Sequence, residues 1–240
     1  MSSAITYKHI FFDLDHTLWD FEANAKATLQ HLYSALDLAT RGVDDFERFY
    51  RNYLLHNEKL WGRYRNGIIP QEELRIKRMR LSLLDFKIAD EALAEALSTE
   101  FLSLLPSRTL LFPHAIEILD YLRNKGYSLH LITNGFEKTQ HSKLKYSGLT
   151  PYFKAVVTSE ASGSLKPRPE IFTYAFEKAG AVAAESVMIG DTLEVDILGA
   201  RNAGIHQIHV NHITQEIESL SDGSFPTHTV FSLLELKKIL

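Results

Sequence analysis

From about residue 108 onward, short apolar runs alternate with stretches in which apolar residues recur every three or four positions. The runs are Ser128–Ile132, Lys154–Val157, Ser186–Ile189 and Gln207–Val210. Between them the pattern predicts a helix from about His114 to Lys125, with Ile116, Leu119 and Leu122 on one face and Gly126 as its stop. A second helix starts near Pro167 and Pro169 and ends at Gly180, with proline going in and glycine coming out. A third lies between Leu193 and Ala203 and stops at Gly204. Strand–helix alternation of this kind predicts an α/β fold with a parallel sheet covered on both faces.

One more strand is predicted at His9–Phe12, directly before Asp13, yet the next strand of the series begins more than a hundred residues later. A crossover between parallel strands needs only about a dozen residues, so the intervening stretch must be something else. Residues from about 20 to 107 read as helix throughout. Asp20 is a candidate N-cap, and Leu29, Leu32, Tyr33 and Leu36 follow at helical spacing. A segment from Asp44 to Arg65 ends at Asn66-Gly67. Pro70 opens a third helix carrying Leu74, Met79 and Leu83, and a fourth runs from Ala89 to Leu105 before Pro106. The expected organisation is an α/β domain, residues 1–19 and 108–240, with a helical domain, residues 20–107, inserted after its first strand.

The 240 residues suffice for one large or two modest cores, and 45% hydrophobic with 23% charged residues is ordinary for a globular protein. No run approaches the roughly eighteen apolar residues a spanning helix needs, so no membrane partner is expected. Cysteine is absent, which removes disulfides, thiolate nucleophiles and cysteine-based zinc sites. With the lack of a signal-peptide pattern after Met1, this leads to an expected cytoplasmic location. A formal charge of −4 disfavours a broad polyanion-binding surface, so no nucleic-acid partner is expected. A small phosphorylated substrate remains compatible, because one focused cationic site can hold it.

Asp13-Leu14-Asp15-His16-Thr17 follows Ile10-Phe11-Phe12 directly. Side chains alternate in an extended chain, so Asp13 and Asp15 point one way and Leu14 the other. Two carboxylates then converge at the carboxyl end of a buried strand, where open α/β sheets bind ligands. Three features sit at equivalent strand ends: Thr133-Asn134-Gly135, Lys166 before Pro167, and Gly190-Asp191 with Asp196 further along. Each alone has an ordinary structural explanation: a cap, a solvated lysine, a turn. Together, in this order, they argue for a site.

These residues resemble the haloacid dehalogenase superfamily, and specifically its phosphatases. The matching motifs are D-x-D-x-T at Asp13–Thr17, Thr133, Lys166, and G-D-x-x-x-x-D at Gly190–Asp196, and the helical insertion is similar to the cap of that family's first subclass. The resemblance implies a Rossmann-like, doubly wound parallel-sheet core with an all-helical cap, and a Mg²⁺-dependent phosphomonoesterase. Asp13 would be the nucleophile that splits hydrolysis into formation and breakdown of an acyl phosphate. Asp13 and Asp191 offer the hard oxygen ligands that Mg²⁺ prefers, and the family adds the backbone carbonyl of Asp15. Asp15 would protonate the leaving oxygen and then act as base on water. Thr133, Asn134 and Lys166 would hold the phosphoryl oxygens, and Asp196 would contact metal-bound water or orient Lys166. Three carboxylates and a phosphate dianion bring about five negative charges together, against which Lys166 sets one, so without the metal the site repels its substrate.

Asp15 favours phosphoryl transfer over dehalogenation, which has no need of a leaving-group acid. A phosphomutase shares both aspartates. A non-catalytic binding module would be expected to lack one of Asp13, Asp15, Lys166 or Asp191, and none is missing. At His16 many members of the superfamily carry Gly; this ring either touches substrate or faces solvent.

Within the superfamily the chain most resembles pyrimidine nucleotidases acting on nucleoside 5'-monophosphates, through the segment Leu60–Gly67, through Ile132-Thr133-Asn134-Gly135-Phe136 and through Asp196-Ile197-Leu198-Gly199. Trp61 and Tyr64, one helical turn apart, either stack on a base or pack helices together. Trp19, Phe21 and Phe136 flank the candidate catalytic loops and are candidate lining for the substrate space. The second reading is a phosphatase for a small metabolite such as phosphoglycolate or a sugar phosphate. His206, His209 and His212 repeat every third residue, but in a strand residues three apart face opposite sides, so the rings are not expected to converge on zinc.

Overall fold

The computed structural model describes residues 7–214 and 216–240. The chain divides into two compact units: the part up to Phe21 together with Thr109–Leu240, and Glu22–Arg108 between them.

The first unit is built on a six-stranded sheet. Strand β1, His9–Phe12, is followed only after the other unit by β2, Ser128–Thr133, and β3, Ala155–Thr158; then come β4, Ser186–Gly190, β5, His206–Val210, and β6, His228–Val230. The spatial order is β3-β2-β1-β4-β5-β6, and every neighbouring pair is parallel. This is the doubly wound order in which the chain reverses its direction of travel across the sheet between β1 and β4. Phe12 lies in register with Leu131 on one side and Ile189 on the other, so the carboxyl ends of β1, β2 and β4 finish level with one another. Ile10, Phe11 and Phe12 are wholly buried, as are Val187, Met188 and Ile189, which is why these strands read as unbroken apolar runs. The short β6 was not foreseen.

In the helical unit, α1 spans Phe21–Ala35, α2 Phe46–Arg65, α3 Gln71–Leu84 and α4 Glu91–Leu104. The N-caps of α2 and α4 are Asp45 and Asp90, whose side chains accept from Arg48 N and Leu93 N, satisfying amides that the helix leaves unpaired. Phe49, Tyr53, Leu74, Met79, Leu83, Leu97 and Phe101 form the buried faces.

The connections in the first unit carry α5, Ala115–Asn124, α6, Glu137–Tyr146, the single turn α7, Ser159–Ser162, α8, Pro169–Ala179, and α9, Leu198–Asn202. Helix α8 begins at Pro169 and is closed by Gly180 at φ 61°, the left-handed position that favours glycine. Helix α5 buries Ala115, Ile118, Leu119 and Leu122, whereas Ile116 is 39% exposed, so the expected face is corrected by one position. Residues 115, 118, 119 and 122 follow the i, i+3, i+4, i+7 rule, and Ile116 does not lie on that arc. Among the described residues no helix is long and apolar enough to cross a membrane.

Candidate active site

The level strand ends place the motif residues. Asp13 directly follows β1, with its amide donating to Ile189 O at 2.9 Å, which ties the two central strands beyond their last pair. Asp191 directly follows β4. Asp196 sits in a single wide turn, Leu193–Ile197, in which Ile197 N reaches back to Thr192 O; such i→i−5 turns are frequent at functional sites. The turn folds the Asp196 carboxylate back onto the strand end. A Cβ on residue 190 would stand 2.5 Å from that carboxylate, so the close approach requires Gly190.

Lys166 is 1% exposed and stands at the centre of the cluster. Its Nζ donates to Asp13 Oδ1 at 2.5 Å, to Asp196 Oδ1 at 2.7 Å and to Ile132 O at 2.7 Å. All three ammonium protons are therefore committed. The Lys166–Pro167 peptide bond is cis. One oxygen from each of Asp13, Asp191 and Asp196 lies within 4.8 Å of the others. Asp191 also accepts from the Thr17 hydroxyl at 3.1 Å and from the Thr192 hydroxyl at 3.1 Å, and its backbone carbonyl accepts from His209 Nε2 at 2.9 Å.

Three carboxylates around one ammonium leave two negative charges unmatched in a buried place. Burial pushes Asp13 well above the usual carboxylate range; Lys166 opposes this and the neighbouring Asp196 and Asp191 add to it. Burial and then Asp196 push Asp191 up to about 7, against the Thr192 and Thr17 hydroxyls. Burial alone would lower Lys166, but Asp13 and Asp196 outweigh it and hold it above its ordinary range. An all-oxygen donor set with this excess of negative charge fits a hard divalent cation.

Asp15 has a different environment. Lys143 Nζ lies 2.5 Å from its Oδ1 and Gln140 Nε2 lies 2.9 Å from its Oδ2. Burial acts to raise Asp15, but the Lys143 charge and the Lys143 and Gln140 hydrogen bonds outweigh it, so its carboxyl is held below the usual range. In this arrangement the carboxylate form is favoured over the acid.

Thr133 closes β2, 2% exposed, and its Oγ1 accepts from Gly135 N at 3.1 Å, which leaves its own proton to donate. The Asn134 side chain is engaged within the site. Its Nδ2 donates to Lys166 O at 2.9 Å and its Oδ1 accepts from Lys166 N at 2.7 Å, so the side-chain amide clasps the Lys166 backbone. His16 has φ 64°, a left-handed position, which explains why glycine suits it; its ring lies 5.1 Å from that of Phe21. Trp19 is wholly buried, Phe136 is 5% exposed and Phe21 8%. Trp61 and Tyr64 lie on α2 in the helical unit, both half-buried, and pack edge to face with ring centroids 5.6 Å apart. The histidine series does not converge: His206 Nδ1 meets the Tyr7 hydroxyl at 3.0 Å, His209 meets Asp191 O, and His212 Nε2 meets Thr17 O at 3.1 Å.

Gln140 and Lys143 are the site residues that sequence reasoning missed. The available signal was a polar face on α6, where Gln140, Lys143 and Leu144 are the buried residues, a helix with two polar positions facing inward.

Residues 7–204 match the family model described as haloacid dehalogenase-like hydrolase. The chain is 35% identical over 233 residues to a pyrimidine 5'-nucleotidase, YjjG, of Escherichia coli strain K12, covering 96% of each chain. It is 32% identical to a pyrimidine 5'-nucleotidase, PynA, of Streptococcus pneumoniae, covering 96% of this chain and 93% of the other. The crystal structure of the HAD-hydrolase YfnB from Bacillus subtilis, bound to magnesium, superposes with a TM-score of 0.86 at 27% identity, covering 98% of this chain and 99% of the other.

Proposed function

The chain belongs to the haloacid dehalogenase-like hydrolases and is a phosphatase among them, and from that premise we propose that it hydrolyses pyrimidine nucleoside 5'-monophosphates through a phospho-aspartate on Asp13. The observation that carries the mechanism is the cluster of Asp13, Asp191 and Asp196, with the buried Lys166 paired to Asp13 and Asp196 and two formal negative charges in excess. The substrate class is supported by the likeness to two pyrimidine 5'-nucleotidases over nearly the whole chain.

Asp196 uses Oδ1 on Lys166 and Oδ2 on Thr192 N–H, so we assign Mg²⁺ to Asp13 and Asp191, with the Asp15 backbone carbonyl as the family pattern adds. When bound, the ion neutralises carboxylate and phosphoryl charge and so permits an anionic nucleophile to meet an anionic ester. Lys166 orients the Asp13 carboxylate and neutralises part of the charge that spreads over the phosphoryl oxygens, and Thr133 donates to one of them. An Asp13 oxygen attacks phosphorus, the ester P–O bond breaks, and Asp15 gives its proton to the departing nucleoside oxygen. Asp15, now a carboxylate, takes a proton from water; the water oxygen attacks phosphorus, the P–O bond to Asp13 breaks, and inorganic phosphate leaves. The incoming phosphate dianion favours the protonated Asp15 that the first half needs, and Lys143 favours the carboxylate that the second half needs.

The test is phosphate release from dUMP, dTMP, UMP, AMP, phosphoglycolate and p-nitrophenyl phosphate, with Mg²⁺ and with EDTA, beside Asp13→Asn. Metal-dependent turnover, fastest on the pyrimidine monophosphates and absent in Asp13→Asn, is the expected result. Preference for phosphoglycolate would keep the mechanism and overturn the substrate class. Acid-quenched protein carrying phosphate on Asp13 in the wild type and none in the variant is the direct check on the intermediate.

A further inference from the structure

Helix α6 reaches Asp15 with two side chains at once. Lys143 and Gln140 are one turn apart on one helix face, each 2% exposed, and they bind opposite oxygens of the same carboxylate. Rotation about the terminal bond of an aspartate is broad and roughly two-fold, so a single donor would leave the carboxyl plane free to turn. Two donors from one rigid helix set that plane.

The surroundings hold both donors in place. The Lys143 ammonium lies 4.2 Å from the centroid of the Trp19 ring and 5.6 Å from that of Phe21, a seat for a cation on aromatic faces. Trp19 belongs to the same turn as Asp15: the two residues form a backbone bridge, and His16 N donates to Trp19 O at 2.9 Å. The segment that presents the carboxylate therefore also presents the ring that seats its partner. On the other side, Gln140 lies over the backbone of residue 135, where a Cβ would stand 1.6 Å from Gln140 Nε2, so Gly135 is required for Gln140 to reach Asp15.

We propose that Lys143 and Gln140 are positioning residues for proton transfer: they set the orientation of the Asp15 carboxyl group toward the leaving oxygen and need no contact with substrate themselves. The proposal rests on the reading of Asp15 as the proton-transfer group. Proton transfer demands an approach of about 2.6–3.2 Å between heavy atoms, so a carboxyl free to turn loses rate even when it is present.

The test uses leaving groups of different need. A nucleoside oxygen requires a proton on departure, whereas p-nitrophenolate leaves well without one, and kcat/KM reports the steps up to that departure. Lys143→Met and Gln140→Leu are expected to lower kcat/KM for a nucleoside monophosphate by about 10–100-fold and for p-nitrophenyl phosphate by less than about 3-fold. Lys143→Arg is expected to recover most of the loss. In an Asp15→Asn background, Lys143→Met is expected to cost nothing further, since the group it orients is gone. Equal losses on the two esters, or losses that add fully to Asp15→Asn, mean that the residues merely hold the fold and overturn the proposal. Folding is followed by urea midpoint, and Gln140→Leu stands in if Lys143→Met fails to fold. Asp15→Asn slowing both esters equally would overturn the reading of Asp15 itself, an outcome separable from a leaving-group-selective Asp15→Asn with non-selective α6 variants.

Discussion

Two lysines in the α/β unit are buried beside aspartates at the same distance, yet their surroundings differ in charge balance. Lys166 faces Asp13 at 2.5 Å and Asp196 at 2.7 Å, with Asp191 in the same cluster. Lys143 faces Asp15 alone, at 2.5 Å, with a neutral amide and two aromatic rings for company. With its three carboxylates ionised, the first group carries two negative charges in excess, which suits it to a divalent cation. The second is balanced, so it has nothing to recruit and serves geometry. Counting charges around a buried lysine thus separates a binding centre from a positioning device where burial and distance cannot.

The contrast can be broken first at its most crowded point. Asp13→Asn is expected to lower turnover by at least about 10⁴-fold, as loss of a covalent nucleophile does. The same change is expected to raise the urea midpoint by about 1 kcal/mol equivalent, because it removes a carboxylate that burial disfavours while Asp196 still pairs with Lys166. A loss of stability instead would mean that the Asp13–Lys166 pair outweighs the crowding. Lys166→Met removes the one cation of the cluster and should cost about 3–5 kcal/mol in urea unfolding.

A third buried basic group sharpens the comparison, since it faces no carboxylate. His130 is 1% exposed, lies 3.1 Å from His9 and stacks on Phe11. Burial, then the neighbouring His9 and Lys154, lower it to about 4. The unfolded chain takes up its proton near 6.5, so between those values the unfolded state binds more protons and stability rises with pH. The His130 contribution alone should therefore fall by up to about 3 kcal/mol as pH falls from about 6.5 to 4, while Asp191, pushed up to about 7, acts in the opposite direction over the same range. The stability difference between the wild type and His130→Leu in urea should move against the wild type on going from pH 7 to pH 5; a difference that does not change with pH would remove His130 from the account.

Cation binding should show at the crowded lysine's cluster alone. At about 100 times its dissociation constant, Mg²⁺ is expected to stabilise the protein by about 2.7 kcal/mol, an effect reversed by EDTA and absent in Asp191→Asn. A Tm shift that survives Asp191→Asn would place the ion elsewhere. Among the losses of stability, the smallest belongs to the balanced pair. Asp15 keeps a side chain 23% exposed, so water can hydrate it when its partner goes. Lys143→Met should then cost only about 1–2 kcal/mol in urea unfolding, less than Lys166→Met.

The fold was legible where burial is apolar. Ile10–Phe12 and Val187–Ile189 announce central strands because both faces are covered, and Pro169 with Gly180 marks the ends of α8. Legibility failed where burial is polar or short. Helix α6 buries Gln140 and Lys143, which an apolar periodicity cannot register, and β6 has three residues, of which only Val230 is buried. Ile116 misled because it is apolar but lies off the arc that α5 turns inward.

At the site the same division holds. The order of strand-end residues along the chain, Asp13, Asp15, Thr133, Lys166, Asp191, Asp196, is a property of the sequence, since a parallel sheet with short loops must present its carboxyl ends on one side. Which lysine meets which aspartate is not. Lys166 reaches Asp13 across 153 residues and Lys143 reaches Asp15 across 128, and Asn134 turned out to clasp the Lys166 backbone. Such pairings depend on helix placement and on close approaches at Gly135 and Gly190, set only when the whole unit packs; residue types along the chain determine the chemistry available, and tertiary packing decides which charges stand together.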